Sequence, residues 1–168
     1  MRHLQIKTIF LFFSLCIISC NKTTKVERKN EPTIYETESS DNGMNKAREE
    51  AIKTLNQFHK AFESNNSKLN SFSIKQTFSN ERYNEHIWLN GIFKKNGEYY
   101  GVVDNLPEYV KEVHLGDTVK IVNQKISDWM YLENSQLNGG FTIRELRNRM
   151  TEEERKKFDA ESGMIIKP

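Results

Sequence analysis

Residues 44–63 place apolar side chains at intervals of three and four, which is the spacing of an amphipathic helix. The apolar stripe is formed by Met44, Ala47, Ala51, Leu55, Phe58 and Phe62. Asp41 or Asn42 is suited to cap the start of this helix, and the polar run at residues 64–66 is suited to end it. The pattern predicts one helix whose narrow apolar face docks on a sheet or pairs with another helix.

The apolar positions change to a period of two from residue 72 onward, which is typical of half-buried β-strands. Strands are predicted at residues 72–78, 86–93, 99–103, 117–122 and 126–132. Asn96-Gly97 separates two of these runs and predicts a two-residue hairpin, because both positions of that turn need positive φ. Alternation within the last run places Asp128 and Met130 on one face and Trp129 on the other.

Two short helices are predicted after the strands. Thr142 and Thr151 each precede a glutamate by three residues, the spacing of a capping box, and Gly163 is suited to end the second helix. The whole pattern predicts an α+β fold. Its core is a curled antiparallel sheet of about five strands, with one helix before the sheet and two short helices after it.

The amino-terminal segment resembles a bacterial lipoprotein signal. Arg2 and Lys7 supply a basic start, and residues 8–18 form an apolar run that is too short for a stable membrane span. Ser19 precedes Cys20 as in a lipobox, where a signal peptidase cuts and the cysteine thiol carries lipid. The alternative is an ordinary secreted protein that is cut nearby.

These features divide the chain into a signal peptide at residues 1–19, a lipidated cysteine and flexible linker at residues 20–43, and one α+β domain at residues 44–168. The full chain has 25 basic and 23 acidic residues, and the signal carries two of the bases and no acid. Balanced charge is unfavourable for binding nucleic acid, which depends on clustered Lys and Arg. Cys16 leaves with the signal and Cys20 carries lipid, so no disulfide is predicted.

Three blocks of the domain occur in a characteristic order and spacing: residues 85–89 (EHIWL), residues 115–117 (LGD) and residues 126–163. In these blocks the chain resembles the YegJ-like bacterial family of unknown function, and the resemblance covers residues 72–166. It implies a small α+β domain, often secreted or lipid-anchored. It implies no catalytic residues that can be carried over to this chain.

The end of the last predicted strand is one candidate ligand site. Trp129 and Tyr131 are suited to stack on a ligand, and Asp128 is suited to accept a hydrogen bond from it. The alternative is structural, with Trp129 anchoring the core while Asp128 holds a turn or caps a helix.

The glycine turn after that strand is a second candidate. Gly139 and Gly140 leave backbone N–H groups bare beside Arg144 and Arg147, which suits a carboxylate or phosphate. The alternative is a tight turn whose donors are met by capping side chains of the next helix. If the strand end and the turn are close, the predicted ligand-binding residues are Trp129, Gly139, Gly140 and Arg144.

Glu85, His86 and His114 are the main hint of metal or acid–base chemistry in the predicted domain. Their spacing is not that of helical metal ligands, and no cysteine is left to complete a site. We therefore predict no catalytic residue, no metal and no cofactor.

The main hypothesis is a non-enzymatic lipoprotein, held on a membrane through the lipid on Cys20, in the cell envelope at the periplasmic face or the cell surface. Its domain is expected to bind a protein or cell-wall partner and no nucleic acid. One alternative is an enzyme of unrecognised type that uses His86, Asp128, Arg144 and Arg147. Another is an immunity or inhibitor protein that neutralises a toxin.

Overall fold

The computed structural model describes residues 24–26, 34–36 and 40–167. Cys20 and the predicted signal lie outside these residues, so the division into signal, linker and domain stays a prediction. Two short strands, β1 (Thr24–Val26) and β2 (Ile34–Glu36), pair antiparallel within the predicted linker. None of the helices in the described ranges is both long enough and apolar enough to cross a bilayer.

The remaining elements follow in the order helix, five strands interrupted by one 3-10 turn, a sixth short strand and two helices. They are α1 (Asn42–Glu63), β3 (Leu69–Ser79), β4 (Asn84–Lys95), β5 (Glu98–Val103), β6 (Thr118–Lys120), η1 (Asn123–Lys125), β7 (Ile126–Glu133), β8 (Gln136–Gly139), α2 (Phe141–Arg149) and α3 (Glu152–Ser162).

The first helix begins two residues before the predicted start, because Asp41 is its N-cap. The Asp41 carboxylate accepts a hydrogen bond from Met44 N at 3.0 Å, and Ser64 ends the helix as its C-cap. The predicted stripe faces inward, with Ala51 and Phe58 fully buried. The helix therefore packs as its periodicity requires.

Strands β3 to β8 form one antiparallel sheet in the order β6-β5-β4-β3-β7-β8, which confirms the predicted α+β class. The sheet has one strand more than expected, because β8 is only four residues long and ends in a glycine. The hairpin at Asn96-Gly97 is confirmed, since both residues have positive φ, at 52° and 81°.

The sheet is strongly curled. In a flat sheet β3 and β6 would lie roughly 14 Å apart, because two strands separate them. Gln76 of β3 nevertheless accepts a hydrogen bond from Val122 N at 2.7 Å and donates one to the Lys120 carbonyl at 3.4 Å. The curl therefore brings the end of β6 back to β3, and it encloses the core.

The core is centred on a row of paired residues across four strands. Trp129 is opposite Ile74, Ile74 is opposite Leu89, and Leu89 is opposite Val103. Each of these four side chains is at most 1% exposed, and burial of one such side chain is worth about 1.5–3 kcal/mol. The Trp129 indole also donates to the Ala51 carbonyl at 2.8 Å, which fixes α1 on the sheet.

Candidate functional site

The structure brings together the four residues predicted to bind a ligand. Gly139 and Gly140 both have positive φ, and Gly140 N donates to the Trp129 carbonyl at 2.8 Å. A Cβ at Gly139 would overlap the backbone and ring of Trp129. Gly139 is therefore required for close packing of the turn on β7, where Trp129 itself is only 1% exposed.

Arg144 holds this turn from the first turns of α2. Its guanidinium donates to the carbonyls of Gly139 at 2.9 Å, Leu137 at 2.7 Å and Lys167 at 2.7 Å. Burial lowers the pKa of Arg144 from its usual value. The geometry gives Arg144 a structural task at the carboxyl end of the chain, and its assignment to ligand binding stays a prediction.

Arg147 is engaged in the same way with α3. Its guanidinium donates to both oxygens of Asp159, at 2.7 Å and 2.6 Å, in the bidentate geometry that gives strong ion pairs. This pair joins α2 to α3. Arg147 is therefore paired with Asp159, and its charge also acts on the neighbouring Arg144.

Asp128 is the buried cap of α2. Its Oδ1 accepts hydrogen bonds from the backbone N–H groups of Trp129 at 2.8 Å and Phe141 at 3.2 Å, and its Oδ2 accepts from Thr142 N at 2.8 Å and Thr142 Oγ1 at 2.6 Å. The structural interpretation of Asp128 as a helix cap is confirmed. The predicted capping box at Thr142 is wrong, because α2 begins earlier, after a left-handed Gly140, and the Thr142 hydroxyl turns to Asp128.

Lys75 lies beside this carboxylate on the neighbouring strand. Lys75 and Asp128 are register partners, and Lys75 Nζ is 3.4 Å from Thr142 Oγ1 and 5.3 Å from the centroid of the Trp88 ring. Burial lowers the pKa of Lys75 to about 8, and burial raises the pKa of Asp128. Four donors already occupy the Asp128 oxygens, so this cluster stabilises α2 and offers no acceptor for a substrate proton.

A cleft of about 380 Å³ opens between α1 and the sheet. Arg48 and Ile52 of α1 line one side, Thr77 and His86 line the other, and residues 124–127 close one end. This volume lies within the range of small-ligand sites. The cleft is the candidate functional site because it combines a cation, hydrogen-bonding groups and apolar walls.

His86 enters this cleft as a neutral side chain. Its Nδ1 is paired with the Thr77 hydroxyl at 3.0 Å. Burial, with the positive charges of Arg48 and Lys75, lowers the pKa of His86 to about 3. His86 therefore takes part as a hydrogen-bonding group at physiological pH, and its protonated form is not available there.

Glu85 and His114, the other two residues considered for metal or acid–base chemistry, have contacts that differ from those of His86. Glu85 accepts hydrogen bonds from the backbone N–H groups of residues 108–110 and fixes that loop. His114 sits in an exposed turn, where its backbone N–H donates to Asp117. Within the described ranges, no group of three His, Cys, Asp or Glu side chains is arranged to hold a metal ion.

A family model described as "Uncharacterized protein conserved in bacteria (DUF2314)" matches residues 41–165. The chain belongs to the DUF2314 family. Uncharacterized protein YegJ of Escherichia coli is 28% identical over 137 residues, which cover 82% of this chain and 86% of YegJ. The YegJ-like resemblance is thereby confirmed.

A second relative is longer than this chain. A putative ankyrin repeat protein of Neisseria meningitidis serogroup B is 35% identical over 139 residues, which cover 78% of this chain and 55% of that protein. The match thus spans about half of the Neisseria protein. No solved structure matches this chain.

Sequence reasoning missed two cations of the DUF2314 domain: Arg48, which lines the cleft, and Lys75, whose charge acts on His86. The position of Arg48 could have been noticed in the sequence. It follows Met44 by four residues and precedes Ala51 by three, so a charged residue lies inside the apolar stripe of α1. Lys75 gave no such sign. It alternates with inward residues in a normal strand pattern, and its burial depends on long-range packing with β7 and α2.

Proposed function

We propose that this DUF2314 chain is a membrane-anchored bacterial lipoprotein whose α+β domain binds a partner in the cell envelope and does not catalyse a reaction. The observation that carries the anchor is the signal-like segment that ends at Ser19-Cys20. The anchor lies at the membrane, and the folded family domain begins near residue 41. The intervening polar segment gives the domain reach from the bilayer.

The arrangement of the domain supports binding over catalysis. Asp128, Arg144 and Arg147 are the acid and the cations that the enzyme hypothesis uses, and each is hydrogen-bonded to structural partners. A nucleophile, a base and an orienting group do not meet in the described residues. The cleft between α1 and the sheet, in contrast, offers a concave surface of apolar and hydrogen-bonding groups.

The Neisseria relative gives further support for an interaction role. Its name describes it as a putative ankyrin repeat protein. Stacked repeats of this kind present extended binding surfaces. A DUF2314-like region in such a protein fits a domain that works through binding.

Fatty-acid labelling in growing bacteria tests the anchor. The wild-type chain is expected to take up label and to fractionate with membranes, and Cys20→Ser is expected to do neither, because only the thiol accepts the lipid. Cys16→Ser is the matched control, since it changes the other cysteine within the proposed signal and leaves the lipidation site intact. Label on the Cys20→Ser chain, or loss of label from Cys16→Ser alone, contradicts the proposal.

Incubation of the purified full chain with isolated envelope fragments tests the choice between binding and catalysis. The expected result is co-sedimentation of the chain with the fragments, without release of soluble products from them. Release of new peptides, sugars or lipids that requires the chain would favour the enzyme hypothesis.

A further inference from the structure

We propose that the outer edge of β8 binds an extended segment of a partner protein, which adds to the sheet as a parallel strand in place of residues 164–167 of this chain. Residues 164–167, the edge segment, occupy that edge in the structure. The inference rests on the proposed binding role and names the binding surface and the partner class for it.

The two edge strands of the sheet are not equivalent. β6 is tied back to β3, because Gln76 donates to the Lys120 carbonyl at 3.4 Å and accepts from Val122 N at 2.7 Å. A further strand at β6 would have to displace these contacts inside the curled sheet. β8 lies at the other end of the strand order and is the edge at which the sheet can be extended.

The edge of β8 already binds one extended segment through the main chain. Gln136 and Ile165 form a parallel bridge. Leu137 N donates to the Ile165 carbonyl at 3.0 Å, and Ile165 N donates to the Ser135 carbonyl at 2.8 Å. These are the hydrogen bonds by which a peptide from another protein adds to an exposed sheet edge.

The edge segment has few contacts that hold it in place. Ile165 is 54% exposed, and none of residues 152–162, which form α3 before the segment, is buried. Gly163 joins α3 to the segment with a positive φ of 64° and lies in open space, so the chain can change direction there. Little apolar contact is therefore lost when the segment leaves the edge.

Arg144 can bind the backbone of an entering segment. Its Nε and Nη2 donate to the carbonyls of Gly139 and Leu137, and its Nη1 donates to the Lys167 carbonyl of the edge segment. When the edge segment leaves, the first two bonds keep the guanidinium in place, and Nη1 is released for a carbonyl of the partner. Arg144, which the sequence pattern indicated for ligand binding, would then bind a peptide backbone.

The edge segment also indicates which partner fits. Met164 and Ile166 are half-buried, whereas Ile165 and Lys167 are exposed, which is the alternation of a strand with one face on the domain. The partner is therefore expected to be an extended polypeptide with apolar side chains at two alternate positions. The main-chain hydrogen bonds would provide affinity, and the alternate side chains would provide selectivity.

A matched pair of peptides tests this inference. One has the sequence of residues 162–167 (SGMIIK) with both ends blocked. The other carries a methyl group on the backbone nitrogen of the isoleucine that corresponds to Ile165, and so lacks that donor. The isotopically labelled full chain, in detergent micelles, is titrated with each peptide while backbone and arginine side-chain NMR signals are recorded. The first peptide is expected to shift the signals of residues 135–139 and of Arg144, and the methylated peptide is expected to bind about fivefold more weakly, as for one lost hydrogen bond.

A variant that opens the edge should strengthen this binding. Ile165→Pro removes the N–H that Ser135 accepts, so the edge segment is expected to leave β8 more often. We expect Ile165→Pro to bind the unmodified peptide about fivefold or more tightly than wild type, because a larger fraction of its edges is unoccupied. Ile165→Val keeps the N–H and is the matched control, with binding as in wild type.

Three results would overturn the inference: equal binding of the two peptides, shifts centred on residues 124–127 of the cleft, or an Ile165→Pro chain that binds no more tightly than wild type. A wild-type dimer that Ile165→Pro dissociates, measured by sedimentation, would assign the edge to a second copy of the chain and overturn it as well.

Hydrogen exchange of the wild-type chain decides the matter if Ile165→Pro does not fold. The amides of Leu137 and Ile165 are expected to exchange through local opening, about tenfold or more faster than the slowest amides of β3 and β4. Equal protection would mean that the edge segment leaves only when the domain unfolds, which contradicts the inference.

Fatty-acid labelling and sedimentation with envelope fragments do not require strand addition. A chain that passes those tests and fails the peptide titration therefore refutes binding at the β8 edge and leaves the proposed function standing.

Discussion

Replacement of Asp128 by Asn changes one oxygen to an amino group and keeps the shape of the side chain. The carboxylate now accepts four hydrogen bonds at full burial, two at each oxygen. Asn can keep the pair from Trp129 N and Phe141 N on its single oxygen. Its amino group then points at the N–H and the hydroxyl of Thr142, which are both donors in the wild-type protein.

The cost follows from this mismatch. The Thr142 hydroxyl can rotate and accept from the new amino group, but the Thr142 backbone N–H is left facing another donor. A buried donor without a partner costs about 1–3 kcal/mol, and the remaining hydrogen bonds lose their charge assistance. We expect Asp128→Asn to lower the free energy of unfolding by about 2–4 kcal/mol, which corresponds to a fall of about 6–12 °C in Tm for a chain of this size.

Thermal and urea unfolding, followed by circular dichroism, measure this change. Thr142→Val is the matched control, because it removes one of the four donors and leaves the carboxylate with three backbone partners; its expected cost is about 1 kcal/mol. If Asp128→Asn unfolds as the wild type does, the carboxylate does not hold α2. If that stable variant also lost an activity of the protein, Asp128 would return as a reacting group.

Two further predictions concern Arg144 and Asp41. Arg144→Ala is expected to lower the free energy of unfolding by about 2–4 kcal/mol, because three carbonyls lose a charged donor. Urea unfolding measures this change. A variant that has wild-type stability but fails to bind envelope fragments would instead support Arg144 as a ligand-binding residue. Hydrogen bonding to Arg149 lowers the pKa of Asp41 from 3.8 to about 2, and the Asp41 side chain is 3% exposed. The ionised carboxylate therefore contributes about 2 kcal/mol to the free energy of unfolding. This contribution is fully present above about pH 4 and is lost as the pH falls through about 2. Asp41→Asn keeps the cap and is expected to lose less stability than the wild type between pH 5 and pH 2; equal losses would contradict the assignment.

The local parts of the fold could be predicted from the sequence because local chemistry determines them. The Asn96-Gly97 turn needs positive φ at two positions, and few residue pairs provide it. The capping box at Thr151 was predicted from its spacing and is present, with Glu154 N donating to Thr151 Oγ1 at 3.3 Å. The similar spacing at Thr142 was misleading, since a buried carboxylate from β7 supplied the cap instead. A capping pattern therefore predicts a helix start only where no distant side chain competes for the same N–H groups.

The order of the strands in the sheet could not be predicted from the sequence pattern, because alternation identifies the faces of a strand but not its neighbours. β6 and β7 are joined by a short turn, yet β6 pairs with β5 while β7 pairs with β3. β8 was not predicted, because its four residues pair with the end of β7 and are too few to show an alternation of apolar and polar positions. Gln76 gave no sign that it would tie the two ends of a curled sheet together.

The cleft is lined by residues other than the four that the sequence pattern indicated for ligand binding. The four residues that the sequence pattern indicated for ligand binding also pack the turn on β7, and their assignment to ligand binding stays a prediction. Arg48 stood in a less conspicuous place, as the charged member of an apolar stripe that otherwise determines how α1 docks. A charge at such a position conflicts with the local pattern, and it persists only if something in the folded protein compensates for its burial. In this domain Asn45 supplies part of that compensation, because its side-chain oxygen accepts a hydrogen bond from Arg48 at 2.8 Å.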